Sequence, residues 1–196
     1  GDSYDNAGFV GGVGFLADDY PGTRLIDDCY ATGDVIVEGE SNWDIGGFAG
    51  TIYDGSTISN SYATGDVTAG VYDVAIGGFV GLTRNRYHYA DPVITSSYAT
   101  GNIFADYDSW DIGGFVGEHR DGSISDSYAT GNITLGSADN EGEWVGDVGG
   151  FVGAMDHYTA ATSSSILRSY STGSIDSYGE ATDLGGFIGY SSSNTA

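Results

Sequence analysis

The stretch Asp106-Tyr107-Asp108-Ser109-Trp110-Asp111 places three carboxylates within six residues, and Glu141, Glu143 and Asp147 add three more within seven. Hard cations take several oxygen ligands, so carboxylates stacked in this way are candidate Ca2+ ligands. The stretch lacks the glycine and terminal glutamate of an EF-hand loop, and a solvated acidic face accounts for the same residues. A second cluster, Arg84, Arg86, Tyr87, His88 and Tyr89, combines the side chains that most often anchor a protein or glycan partner. His88, His119 and His157 stand at unequal distances from the nearest preceding phenylalanine, and no Cys/His spacing suited to zinc occurs. The pair Asp27-Asp28 has nothing beside it that would set the separation an acid–base pair needs, and no GxSxG-type nucleophile motif occurs. An enzyme is therefore not expected.

The charges are sorted along the chain. Of 28 acidic residues, 16 lie in the stretches that run from a Tyr-Ala-Thr-Gly-like box to the next Gly-Phe box, which hold no arginine or histidine. All five arginines lie in the complementary stretches, and there is no lysine. With a net charge of −23, contact with nucleic acid phosphates is excluded, as is an anionic membrane surface. The acidity suits either divalent cation binding or solubility at high salt, and 22 aspartates without a lysine resemble the composition of halophilic archaeal proteins. No apolar run approaches 18 residues, so no membrane insertion is expected.

These residues are held by a repeat. A glycine box reads AGFVG at Ala7–Gly11, GGFAG at Gly46–Gly50, GGFVG at Gly77–Gly81, Gly113–Gly117 and Gly149–Gly153, and GGFIG at Gly185–Gly189. Its phenylalanines, Phe9, Phe48, Phe79, Phe115, Phe151 and Phe187, are separated by 39, 31, 36, 36 and 36 residues. Between them a second box recurs around Tyr30, Tyr62, Tyr98, Tyr128 and Tyr170, with isoleucine four residues before each tyrosine and valine or isoleucine five after. A period in this range signals a repeat architecture. Glycine abundance argues against helix, and the mixture of β-branched and aromatic residues with turn glycines reads as short strands.

The fold class expected is all-β, a parallel β-helix or β-solenoid of about five 36-residue repeats, with residues 1–189 one array and residues 190–196 a polar tail or linker. The phenylalanine and isoleucine ladders belong inside, the tyrosine and threonine ladders at the surface. Thr32, Thr64, Thr100, Thr130 and Thr172 read as turn threonines bonded to backbone. Cys29 aligns with Ser61, Ser97, Ser127 and Ser169, which makes it one small side chain in a file of small side chains. A coil of 18 or of 36 residues fits the spacing equally.

The pair GGFVG and SYATGDV resembles the GLUG-motif repeat, with phenylalanine where the family's name has leucine, over essentially all of residues 7–189. That resemblance implies a parallel β-helix, display on the outside of a cell and a stalk or adhesive role without catalysis. Phe187 to Ala196 and Gly1 to Phe9 together span 18 steps across a head-to-tail junction, half of the repeat, so copies are expected to stack end to end. The function expected is a structural subunit of a surface filament, stalk or adhesin. The alternative is an adhesive module that binds surface glycan or protein through the Arg84–Tyr89 connector.

Overall fold

A computed structural model describes residues 3–14, 23–86, 90–136, 144–156, 164–178 and 180–192. The described residues form parallel strands and turns, without helix, wound into a β-solenoid. One turn of the solenoid takes two boxes and one full repeat. The fourth coil is representative: Trp110–Gly113, Val116–His119, Gly122–Ser125, Tyr128–Ala129 and Ile133–Leu135 follow one another around it. Each strand pairs in parallel with its equivalent in the coil before and the coil after. This gives two six-stranded and three five-stranded sheets, with a small two-stranded one at Trp144–Val145 and Glu180–Ala181. The coil is therefore 36 residues, and the 31-residue spacing of Phe48 and Phe79 still pairs in register, Ile45 with Ile76 and Ala49 with Val80.

The phenylalanine rings stack face to face, with centroids 4.7–4.9 Å apart, from Phe9 through Phe48, Phe79, Phe115 and Phe151 to Phe187. Phe48, Phe79, Phe115 and Phe151 are wholly buried. Phe187 is partly buried, and Phe9, at the outer face of the first coil, is 48% exposed because no coil covers it. Ile58, Ile94 and Ile124 make a second buried ladder alongside, and Val67, Ile103 and Ile133 a third.

The core is divided. Phenylalanines, Ile52, Ile58, Ile94 and Ile124 form one apolar column; Ile45, Ile76, Ile112, Ile103 and Leu135 form another. The glycine box makes the partition. A Cβ on Gly114 would sit 3.3 Å from the Ala129 Cβ, so the two walls of the coil touch where the boxes face each other. At Gly113 a Cβ would lie 1.9 Å from the Val116 carbonyl oxygen, far inside van der Waals contact. The box is thus a sharp corner that only glycine fits, and the alanine of the second box is small for the same reason.

Side chains continue the rungs where backbone alone would not. Ser61, Ser97 and Ser127 each donate their hydroxyl to the carbonyl two residues earlier, at 2.7–2.9 Å. Each hydroxyl oxygen also accepts the amide of the residue one coil before, 3.2–3.3 Å from Cys29, Ser61 and Ser97. Cys29 occupies the first place in this file, with its thiol 3.3 Å from the Asp27 carbonyl. On the opposite side of the second box, Asp34, Asp66, Asn102 and Asn132 accept the amide of the next coil's equivalent residue at 2.7–3.1 Å.

Candidate functional site: a carboxylate crevice and two surface files

The position four residues before each phenylalanine holds Asp5, Asp44, Ala75, Asp111, Asp147 and Asp183. Strand pairing on either side brings these residues into one column along the solenoid. Asp5, Asp44, Ala75 and Asp111 all have φ between 54° and 59°, the left-handed region that Asp tolerates better than most residues. The strand after the box runs back close against this column: a Cβ on Gly117 would lie 2.5 Å from the Ala75 carbonyl carbon. Three residues after the four inner phenylalanines stand Thr51, Leu82, Glu118 and Ala154, a buried file that pairs in register across coils. The two files line one crevice. Its second coil contributes Asp44, which accepts a 3.0 Å hydrogen bond from the Thr51 hydroxyl. The third coil replaces the polar pair with Ala75 and Leu82. The fourth sets Asp111 opposite Glu118, a second acid, which is ion-paired with Arg120.

Carboxylates so arranged cannot all be ionised. Burial pushes Asp111 up to about 8, and the charges of Glu118, Asp147 and Asp156 push the same way, against Arg120. Burial raises Asp44 to about 6, opposed by the Thr51 hydrogen bond. Asp147 also rises to about 6, from burial and then from Asp183 and Asp156. Glu118 is raised by burial, with Arg120 opposing. These shifts favour the protonated carboxyl, most strongly at Asp111.

The sign of the linkage follows. A carboxyl raised above its unfolded value leaves the fold most stable below the unfolded value, and that stability is lost as pH rises through the folded one. The relevant window therefore runs from about pH 4 to pH 8. Asp126, lowered by its hydrogen bond to Arg168, acts only below that window. Asp111→Asn keeps the shape and suits the left-handed backbone. At pH 8 it is expected to stabilise the chain by about 2–3 kcal/mol, roughly half of what ~1.4 kcal/mol per pH unit gives over the full displacement, since the group keeps some solvent contact. At pH 5 it is expected to change little. Denaturant titrations at both pH values check this; an equal effect at both would refute proton storage at Asp111.

The remaining candidates are dispersed. Asp106, Asp108 and Asp111 share one segment but occupy different columns; Asp106 accepts the Tyr107 amide at 2.9 Å, and Asp108 lies in a turn with φ of 53°. Glu141 and Glu143 lie outside the described residues, as do Tyr87, His88 and Tyr89. Among the described residues no group of three or more His, Cys, Asp or Glu side chains is arranged to hold a metal ion. Arg84 ends its strand, and the Arg86 amide donates to Asp54 at 2.9 Å. The signal for the crevice was present in the sequence as the Asp that precedes every Gly-Gly-Phe but that of Phe79, but the sorting of charges drew attention to the denser acidic clusters instead.

The second box forms the surface files. Tyr30, Tyr62, Tyr98, Tyr128 and Tyr170 stack with centroids 4.9–5.2 Å apart and planes within 8°. The amides of Thr64, Thr100, Thr130 and Thr172 donate to the alanine carbonyl of the preceding coil at 3.0–3.1 Å. Contrary to expectation, the threonine hydroxyls make no hydrogen bond among the described residues: the backbone already satisfies itself between coils, so the side chains point outward.

The comparisons with known proteins bear on this arrangement. Residues 41–68 and residues 108–134, each a pre-box strand, glycine box and second box in sequence, match the GLUG motif. Two of the coils thus carry the GLUG motif. It is also similar to Halomucin of Haloquadratum walsbyi, at 31% identity over 190 residues, which cover 87% of this chain and 2% of that relative. The chain thus spans about 2% of the length of the curated relative it matches. No solved structure matches it. In the GLUG coils the motif's glycines make the corner, its aromatic residue the buried ladder, and its Tyr-Ala-Thr-Gly segment the surface files.

Proposed function

We propose that this chain is a structural, non-catalytic segment of an extracellular cell-surface repeat protein, extended by stacking one solenoid end on another copy. The similarity to Halomucin and the GLUG repeats support surface display. One observation carries the stacking: the large apolar side chains that the ladders bury elsewhere are open on both outermost described coils. On the first, Phe9, which heads the phenylalanine ladder, is 48% exposed; on the last, Leu184, in register with the buried Val148, is 53% exposed. Each lies in register with a continuous ladder, so an added coil gains apolar burial together with strand pairing, the β-augmentation mode of recognition.

The net charge of −23 opposes contact between copies at low ionic strength and is screened within about 3 Å at 1 M salt. The isolated chain is therefore expected to assemble end to end at molar salt and to disperse on dilution. Leu184→Lys, placed on the last described coil, is expected to abolish assembly while leaving the fold intact by circular dichroism. Sedimentation and electron microscopy read the outcome. A wild-type chain that stays monomeric and folded at high concentration in molar salt would sink the stacking, as would unchanged polymers of the lysine variant.

A further inference from the structure

Just before the glycine box, each coil turns a corner whose two outward positions follow a rule not required by the fold. One column holds Tyr4, Trp43, Val74, Trp110 and Gly146; strand pairing aligns the first four, and the fifth follows 36 residues after Trp110. The neighbouring column holds Ser41, Tyr72, Asp108 and Trp144. Ser41, Tyr72 and Asp108 share φ values of 53–62°, and the Asp108 amide donates to the Trp144 carbonyl at 2.5 Å. Between the two columns, Asn42, Asp73, Ser109 and Val145 turn inward and are buried. From the second coil to the fifth the outward pairs are Ser/Trp, Tyr/Val, Asp/Trp and Trp/Gly: one large ring and one small residue, with the ring changing sides along the axis. The small partners make room. A Cβ on Gly146 would lie 2.3 Å from Trp110 Cε3, so this indole lies over the glycine of the next coil.

These rings keep open faces, although Trp43 stacks on Tyr4 and Tyr72 meets Tyr107 edge-on, each at 6.4 Å between centroids. Trp43, Tyr72, Trp110 and Trp144 are 39%, 49%, 44% and 55% exposed. Unlike the Tyr30–Tyr170 file, where each ring covers its neighbour, Trp43 and Trp110 are separated by the rung of Val74 and make no ring contact with each other. The zigzag lies in the segments that contain acids and no arginine, histidine or lysine. Glu38, Glu40 and Glu180 are exposed there; Glu40 bridges to Val71, beside Tyr72, and Glu180 pairs with Trp144.

We propose that this zigzag of indole and phenol rings, edged with carboxylates, is a docking surface for an arginine-bearing segment of a protein partner. Charge complementarity selects the occupant: the surface offers only negative charge, which repels anionic polymers and draws cationic ones. Ring faces attract a cation lying over them, and a planar guanidinium both stacks on an indole and pairs with a carboxylate in bidentate fashion. Lysine, a compact hydrated charge, satisfies only the electrostatic half of that description.

The test uses the full chain in about 1 M salt, where long-range attraction to an acidic protein is screened, and a capped, fluorescein-labelled tetra-arginine peptide followed by anisotropy. Tetra-lysine and a neutral cello-oligosaccharide are the comparison probes. The arginine peptide is expected to bind more tightly than the lysine peptide and to quench tryptophan fluorescence. Trp43→Ala with Trp110→Ala, which leaves net charge unchanged, is expected to weaken it about tenfold, the scale of two cation–π contacts. Trp43→Tyr with Trp110→Tyr is expected to retain most binding, which separates loss of the rings from loss of the fold. Tyr62→Ala with Tyr98→Ala, on the other face, is expected to leave it unchanged. Equal binding by the alanine variant and the wild type would overturn the proposal, as would indistinguishable arginine and lysine peptides, or binding of the oligosaccharide in place of the peptide.

Discussion

Gly113→Ala is expected to leave the chain largely unfolded at room temperature. The added Cβ would meet the Val116 carbonyl oxygen at 1.9 Å and the Gly153 and Val116 backbone at 2.7 Å. All three neighbours are backbone, and that backbone is bonded to the coils on either side, so none can turn aside as a side-chain end can. Relief requires opening the corner, which separates the two apolar columns at once. The cost is expected to exceed the 1–3 kcal/mol usual for overpacking a core and to reach about 5 kcal/mol, a large part of the stability of a typical domain. Alanine at Gly33, whose Cβ would meet nothing within 4 Å, is the matched control and is expected to fold normally. Urea denaturation of the two variants makes the comparison; equal midpoints would show that the box is not a steric corner.

Phe115→Ala is expected to cost about 3–5 kcal/mol, in the range for a buried aromatic ring cut to a methyl group. Its ring is wholly buried and stacks on Phe79 at 4.9 Å and Phe151 at 4.8 Å. Deletion therefore leaves a cavity and breaks two ring contacts in the middle of the ladder. The same change at Phe9, half exposed and stacked on one side only, is expected to cost less than half as much. If Phe9→Ala were as harmful as Phe115→Ala, the ladder could not be the source of the stability.

Much of the fold was legible because the residues that make it are the ones the repeat cannot vary. The spacing of phenylalanine, isoleucine and tyrosine gave the solenoid and the inside or outside placement of each file. The length of the coil was not legible, because two boxes alternate and either one or two can close a turn. What decides it is the contact of Gly114 with Ala129: the boxes face each other across a single coil and so cannot be successive coils. The crevice was hidden for a different reason. Asp44 and Asp111 read as members of an acidic face, since sequence does not reveal that the left-handed turn folds their carboxyl groups toward the strand after the box. The zigzag was hidden because its rule lives in pairs two residues apart and alternates between coils, so neither column taken alone looks like a pattern.

The register survives a change of coil length. Phe48 and Phe79 are 31 residues apart, Phe79 and Phe115 are 36 apart, and the rings stack at 4.8 and 4.9 Å all the same. The extra residues fall between strands and add nothing along the axis. The molecule is therefore a ruler graduated in glycine boxes, not in residues: six phenylalanines mark off five steps, roughly 24 Å at the spacing of adjacent β-strands. Connectors can lengthen, shorten or change composition between one mark and the next without altering how far the array reaches, which leaves what the sides display free to vary independently of how long the solenoid is.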